Sequence, residues 1–216
     1  MKLTKLVHSC LLVEKDGTKI LVDPGVYSWQ DEKVKHFELS GISAVVVTHN
    51  HPDHFSVDFA NAVKQASPRA VWYGTQETAD SLKDINISGR TSSDDQNIRF
   101  IESKHADLSP WFDNQPLHTS YVIFDEILVS GDCQTLNSSN GARILAAAVN
   151  GGPWGAVVGF TKMIEAMSDR PKTVVPLHDW HWNEEARGAI YAKLPEVMEK
   201  FGVTFIPLQN YETIEI

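Results

Sequence analysis

The segment THNHPDHF at residues 48–55 constrains what this chain can be more than any other part of the sequence. It places three histidines and one aspartate within six residues, just after the apolar run AVVV. Imidazole rings this close together need a shared partner, and the usual partner is a metal ion. A surface loop of hydrogen-bonded histidines is the alternative. The buried strand predicted by the apolar run favours the metal site.

The spacing within this segment indicates how it could hold metal. One residue separates His49 from His51, which lets the two rings converge on one ion. Asp53 and His54 are adjacent, so they point in different directions and could serve a second ion. Ser56 is the predicted N-cap of the helix that follows.

Composition limits the classes of protein to consider. With 216 residues, we predict a single domain over 1–216 that buries its core without disulfides. The formal net charge of -9 argues against nucleic acid as the main partner. No apolar run reaches the roughly 18 residues of a membrane span. The start, MKLTKLVHSCLLV, lacks a signal-peptide cleavage site, and the two cysteines form no disulfide framework, so we expect a cytoplasmic location.

Predicted strands and helices alternate along the chain, which indicates a layered α/β fold. The stretch EKDGTKILV predicts a hairpin with an Asp16-Gly17 turn, and hairpins imply antiparallel or mixed sheets. Helices are predicted over 56–66, 75–83, 154–168 and 184–200. Residues 134–153 are predicted to form a loop.

Three further candidate ligands follow predicted strands. They are His105 in KHAD, Asp132 in SGDC and His178 in LHDW. Each alone could be an ordinary loop, turn or strand-end residue, but together with the first motif they indicate one site. His118, in LHTS, is an alternative to His105 that the sequence leaves open. We prefer His105 because it ends a strand.

Taken in this order, the motifs resemble those of the metallo-β-lactamase superfamily over nearly the whole chain. Within it, the chain looks most similar to the small hydrolases related to ascorbate-6-phosphate lactonase. That narrower resemblance rests on VHSCLLVEKDGTKILVDPG, KHAD, VSGDC and the NGGPWG stretch before VVPLH. It implies a four-layer αββα sandwich with mixed sheets and with metal ions at one edge, between the sheets.

The resemblance also implies the ligands of two metal ions. Seven side chains would bind them: His49, His51 and His105 the first ion, Asp53, His54 and His178 the second, and Asp132 both.

Other residues would act around these ligands. By resemblance, Asp23 would support the histidine segment through hydrogen bonds. His8 matches a histidine that this branch often has beside the site, with a strand histidine as the alternative. Trp180 and His181 follow a ligand and could line the substrate pocket. Cys133 stands where threonine is usual, and we interpret it as a small buried neighbour.

The implied chemistry is direct hydrolysis by a metal-bridging hydroxide, which Asp53 would orient and whose proton it would handle. Zinc is the expected ion, with manganese or iron as alternatives. The expected substrate is a small molecule with a lactone, ester or related bond. A phosphodiesterase or phospholipase-type hydrolase of the same superfamily is one alternative, and a non-enzymatic metal-binding module is another.

Three predicted loops are the expected walls of the substrate pocket, at 24–40, 106–118 and 134–153. Their aromatic side chains suit an apolar or cyclic substrate: Tyr27, Trp29, Trp111, Phe112 and Trp154.

Overall fold

The computed structural model describes residues 1–110, 113–150 and 157–216. The chain divides into two compact units. We call Met1–Ser93 with Gln209–Ile216 the N-terminal unit, and Asp94–Leu208 the C-terminal unit. Each unit has its own sheet, helices and apolar core. That the whole chain is one domain stays a prediction.

The N-terminal unit contains a seven-stranded mixed sheet with the strand order β13-β1-β2-β3-β4-β5-β6. The strands are β1 (Lys2–Lys5), β2 (Leu11–Lys15), β3 (Thr18–Val22), β4 (Ala44–Val46), β5 (Val71–Tyr73), β6 (Gly89–Arg90) and, last in chain order, β13 (Thr213–Glu215). The pairs from β13 to β3 are antiparallel and those from β3 to β6 are parallel. The predicted β2–β3 hairpin is confirmed, and both turn residues, Asp16 and Gly17, have positive φ.

Four helices belong to the described part of this unit: α1 (Val26–Trp29), α2 (Glu32–Lys35), α3 (Val57–Ala66) and α4 (Gln76–Asp84). Ser56 is the N-cap of α3, as predicted, and its hydroxyl accepts a hydrogen bond from the backbone N–H of Phe59. The buried face of α3, with Phe59 and Val63, joins the strand residues Leu21 and Val45 in one core.

The C-terminal unit contains a six-stranded mixed sheet with the order β12-β11-β10-β9-β8-β7. Its strands are β7 (Ile98–Glu102), β8 (Thr119–Ile123), β9 (Ile127–Val129), β10 (Ile144–Ala148), β11 (Thr173–Leu177) and β12 (Thr204–Phe205). The pairs from β7 to β9 are antiparallel, and those from β9 to β12 are parallel. The predicted loop over 134–153 is therefore wrong for β10. Its sequence ILAAA is alanine-rich, which is weak strand composition, but every one of its residues is buried, as is common for strands in parallel pairing.

Two helices in the described part of this unit are α5 (Val157–Ala166) and α6 (Glu184–Glu199). The predicted start of α5 at 154–156 lies outside the described residues. Asn183 caps α6, because its side chain accepts a hydrogen bond from the backbone N–H of Ala186 at 2.8 Å. Phe160 of α5 and Leu194 of α6 pack in the same core as the strand residue Leu145.

Both units combine a mixed sheet with helices, so the predicted α/β class is confirmed. Within residues 1–110, 113–150 and 157–216, no helix has the length and apolar character needed to cross a membrane.

Candidate metal centre

In the N-terminal unit, the candidate residues follow the ends of two neighbouring parallel strands. Asp23 follows β3 and the histidine segment follows β4. Parallel strands end at the same edge of a sheet, which brings Asp23 beside the histidine segment. The backbone N–H of Asp23 donates to the carbonyl of Val46 at 3.0 Å and extends the pairing of the two strands to this edge.

Asp23 binds both ends of the histidine segment. Its Oδ1 accepts the backbone N–H of Thr48 at 2.7 Å, and its Oδ2 accepts the Thr48 hydroxyl at 2.8 Å. Nδ1 of His54 also donates to Oδ2, at 2.8 Å. All three residues are buried. These contacts are consistent with the supporting role that the resemblance implied for Asp23.

The same hydrogen bonds decide which ring nitrogens of His49 and His54 carry protons. A carboxylate oxygen only accepts, so Nδ1 of His54 is the N–H that meets Asp23. The Thr48 hydroxyl donates its one hydrogen to Asp23, so its oxygen accepts from Nδ1 of His49 at 3.1 Å. In a neutral imidazole the lone pair then lies on Nε2. In both rings Nε2 is therefore the nitrogen that could bind a metal ion.

His51 brings a second nitrogen close to His49. Nε2 of His49 lies 3.1 Å from Nδ1 of His51. Two nitrogens bound to one tetrahedral zinc ion would be about 3.3 Å apart, given the usual zinc–nitrogen distance. The measured separation is therefore compatible with a shared ion.

Asp53 lies against two histidines of the N-terminal unit. Nε2 of His8 donates to its Oδ2 at 3.2 Å, and Nε2 of His54 is 3.8 Å from the same oxygen. The Asp53 side chain is 20% exposed, so one side of the carboxylate stays accessible. His8 is buried in a turn after β1 with φ of 60°, so the alternative of a strand histidine is wrong. Burial, and to a lesser extent the charge of Asp53, raises the pKa of Tyr27, whose ring packs edge-on against His8.

In the C-terminal unit, the candidate ligands also lie at one sheet edge. Asp132 follows β9 and His178 follows β11, and both strands pair in parallel with β10. His105 follows β7, which runs antiparallel to β8, as β9 does. The ends of β7, β9 and β11 therefore point the same way.

The side chains of His105 and His178 both point at the carboxylate of Asp132. Its Oδ2 lies 3.5 Å from Nε2 of His105 and 3.2 Å from Nε2 of His178. Nδ1 of His105 donates to the carbonyl of Ala106 at 2.7 Å, and Nδ1 of His178 donates to Oδ1 of Asn150 at 2.9 Å. In the neutral rings, the lone pairs of both Nε2 atoms then meet one carboxylate oxygen in a buried position. A bound cation would stabilise such an arrangement.

His118, the alternative ligand, directly precedes β8, and both of its ring nitrogens hydrogen-bond to protein groups. The backbone N–H of Asp132 donates to Nε2 at 3.2 Å, and Nδ1 lies 2.8 Å from Oγ of Ser103. Cys133 is buried, as interpreted from the sequence.

The residues after His178 form a short loop before α6. Trp180 is 46% exposed, and its ring centroid is 5.5 Å from that of His181. The His181 ring is in turn 5.9 Å from that of His178. Of the five aromatic residues in the predicted pocket walls, Tyr27 packs against His8 and Trp29 stacks on the core residue Phe59. The remaining three lie outside the described residues: Trp111, Phe112 and Trp154.

A buried polar cluster behind this loop was not predicted. Oδ2 of Asp179 accepts a hydrogen bond from the Tyr191 hydroxyl at 2.7 Å and lies 3.3 Å from Nε of Arg187. His178 has φ of 64°, a left-handed conformation that costs a residue with a side chain about 1–3 kcal/mol. The contacts of the adjacent Asp179 with α6 help to offset that cost.

Comparison with known proteins supports one family. Residues 3–107 match the model of the metallo-β-lactamase superfamily. The structure also superposes on Igni18, a metallo hydrolase of Ignicoccus hospitalis, with a TM-score of 0.68 over 99% of this chain and 97% of that one, at 17% identity. Over residues 3–107 the chain is therefore similar to the metallo-β-lactamase superfamily.

Two curated proteins are similar in sequence to this chain. Protein Rv0786c of Mycobacterium tuberculosis is 27% identical over 91% of this chain and 92% of its own length. A UPF0173 metal-dependent hydrolase of Staphylococcus saprophyticus, SSP1060, is 25% identical over 49% of this chain and 48% of its own length.

Proposed function

We propose that this protein is a metal-dependent hydrolase of small molecules. The observation that carries the proposal is the convergence of the Nε2 atoms of His105 and His178 on one oxygen of Asp132, with both Nδ1 atoms already engaged. The Staphylococcus saprophyticus relative is described as a metal-dependent hydrolase, and Igni18 as a metallo hydrolase, which supports the same activity.

The proposed centre holds two divalent ions. Imidazole nitrogens and carboxylate oxygens suit zinc, which is the preferred ion, with manganese or iron as alternatives. The ligands follow the family resemblance: His49, His51 and His105 for the first ion, Asp53, His54 and His178 for the second, and Asp132 for both. The paired nitrogens of His49 and His51 support the first set.

When bound, divalent ions of this kind lower the pKa of water toward neutrality and polarise the bond to be cleaved. The chain's own residues then orient the reactants. Asp53 has a partly exposed carboxylate held by His8, and we assign it to orienting the attacking water and accepting its proton. Asp23 and Thr48 keep the nitrogens of His49 and His54 in the ligating tautomer.

The finer parts of the proposal come from the resemblance to ascorbate-6-phosphate lactonase. We propose a lactone, an ester or a related bond as the substrate, and Trp180 and His181 as residues that contact it. The aromatic ring of Trp180 is exposed next to His181 and suits an apolar part of such a substrate. A cytoplasmic location and a substrate other than nucleic acid remain part of the proposal, the latter favoured by the net charge of -9.

Hydrolysis by metal-depleted and reloaded protein tests the proposal. We expect zinc or manganese to restore activity on a panel of lactones and activated esters. Asp53→Asn should keep the fold and lower turnover about 100-fold or more, because it removes the proton acceptor. Activity on phosphodiesters alone would support the alternative hydrolase class instead.

A matched variant separates the proposed role of Asp53 in proton transfer from an effect on helix capping. Ser56→Ala removes the N-cap of α3 and should cost about 1 kcal/mol of stability with turnover intact. Asp53→Asn with wild-type turnover would rule out the role in proton transfer. No metal-dependent hydrolysis of any compound in the panel would refute the proposed function.

A further inference from the structure

His118 lies beside two of the proposed ligands in the C-terminal unit. Its ring centroid is 6.0 Å from that of His105, and its Nε2 is 3.2 Å from the backbone nitrogen of Asp132. The topology explains this position. His118 directly precedes β8, which runs antiparallel to β7 and β9, and His105 and Asp132 follow the ends of those two strands.

The hydrogen bonds of His118 determine its protonation. The backbone N–H of Asp132 can only donate, so Nε2 of His118 accepts. A neutral imidazole has one N–H, so Nδ1 carries it and donates to Oγ of Ser103 at 2.8 Å. The Ser120 hydroxyl bonds to the same Ser103 oxygen at 2.9 Å and to the carbonyl of Ser130 at 2.9 Å. His118 thus directs its one lone pair at Asp132.

The backbone of Asp132 is held on both sides. Its N–H donates to His118, and its carbonyl accepts the backbone N–H of Ala106 at 3.0 Å. An aspartate side chain has only two rotatable bonds, so the backbone position largely sets where its oxygens lie. Here it places Oδ2 within 3.5 Å of Nε2 of both His105 and His178.

We propose that His118 is a positioning residue that holds the carboxylate of Asp132 in place for metal binding, and that it is not itself a ligand. The inference rests on the proposed function, because it assigns His118 a task only if Asp132 binds metal. Groups that orient metal ligands typically change metal affinity about 10- to 100-fold when they are removed.

Metal binding by four proteins tests this inference: the wild type, His118→Ala, His118→Gln and His105→Ala. His118→Gln keeps an oxygen acceptor near the position of Nε2, so it is the conservative variant. Zinc stoichiometry and affinity are measured by competition with a chromophoric chelator, and the absorption spectrum of the cobalt-loaded protein reports coordination geometry. The melting temperature of each metal-free protein serves as the control for folding.

We expect His118→Ala to bind as many ions as the wild type, with about 10- to 100-fold weaker affinity and a changed cobalt spectrum. His118→Gln should recover much of the zinc affinity and of the wild-type cobalt spectrum. His105→Ala should lose an ion. If His118→Ala does not fold, Ser103→Ala replaces it, because that change removes the acceptor of the Nδ1–H and should weaken binding in the same direction.

Two results would overturn the inference. The first is a folded His118→Ala protein with the zinc affinity and cobalt spectrum of the wild type, which would mean that the hydrogen bond does not position Asp132. Where Ser103→Ala replaces that variant, the same result in Ser103→Ala has the same meaning. Loss of an ion by His118→Ala, with His105→Ala unaffected, would make His118 a ligand. A wild-type protein that binds no metal would instead refute the proposed function.

Discussion

Asp23 receives three hydrogen bonds, from the N–H and hydroxyl of Thr48 and from Nδ1 of His54. An asparagine in its place has one acceptor oxygen and one donor group. The amide NH₂ would face either Thr48 or His54. If it faces His54, the His54 ring must have its lone pair on Nδ1 and its proton on Nε2. That tautomer has no lone pair on Nε2, the proposed ligand atom of His54.

We therefore predict that Asp23→Asn lowers zinc affinity about 10- to 100-fold, as measured by chelator competition. Asp16→Asn is the matched control, because asparagine also suits the positive φ of the β2–β3 turn and should leave affinity unchanged. Equal affinities of Asp23→Asn and the wild type would show that the hydrogen bonds of Asp23 do not set the tautomer of His54.

The sequence suggested Asp23 as a hydrogen-bond partner of the histidine segment. It could not identify every group that hydrogen-bonds to a candidate ligand. Motif spacing identifies residue types that bind metal, whereas the acceptor of each Nδ1–H depends on contacts that form only in the fold. The carbonyl of Ala106 has no sequence signature, and Asn150 follows a strand that was predicted as loop. For the same reason the sequence left His118 open as a ligand, since its bond to Asp132 depends on strand pairing.

At the scale of elements, apolar runs next to turn residues were the reliable signals. The β2–β3 hairpin and the start of α3 were predicted because Asp16-Gly17 and Ser56 have specific conformational roles. The strand β10 was missed because alanine does not mark strands, and the short helices α1 and α2 because four residues give no helical periodicity.

The start of α1 contacts the histidine segment. The backbone N–H of Val26 donates to the carbonyl of Pro52 at 2.8 Å, and a Cβ on Gly25 would overlap the backbone carbonyl of Asp53. We predict that Gly25→Ala displaces Asp53 and His54, costs about 1–3 kcal/mol of stability and weakens zinc binding. Chemical denaturation and chelator competition measure the two effects.

Gly188→Ala is the control for the substitution itself. Gly188 lies on α6, exposed, with no atom within 4 Å of an added Cβ. Alanine there should raise stability by about 0.5–1 kcal/mol, because glycine is unfavourable inside a helix. If Gly25→Ala has the stability and zinc affinity of the wild type, the close approach of Gly25 to the Asp53 carbonyl is contradicted.

For the whole molecule, the sequence predicted the fold class, because predicted strands and helices alternate along the chain and the candidate ligand motifs follow strands in a recognisable order. The substrate was not predictable to the same degree. Its contacts depend on loop conformations, and loops have no periodicity from which a structure can be derived.

The number of metal ions per chain tests the central claim most directly. Protein purified without chelator is saturated with zinc and freed of excess metal by gel filtration. The zinc content per chain is then measured by elemental mass spectrometry. We predict two ions per chain, because two sets of ligands share Asp132 in the proposed centre. At most one ion per chain would contradict the two-ion assignment, and none would contradict the metal centre itself.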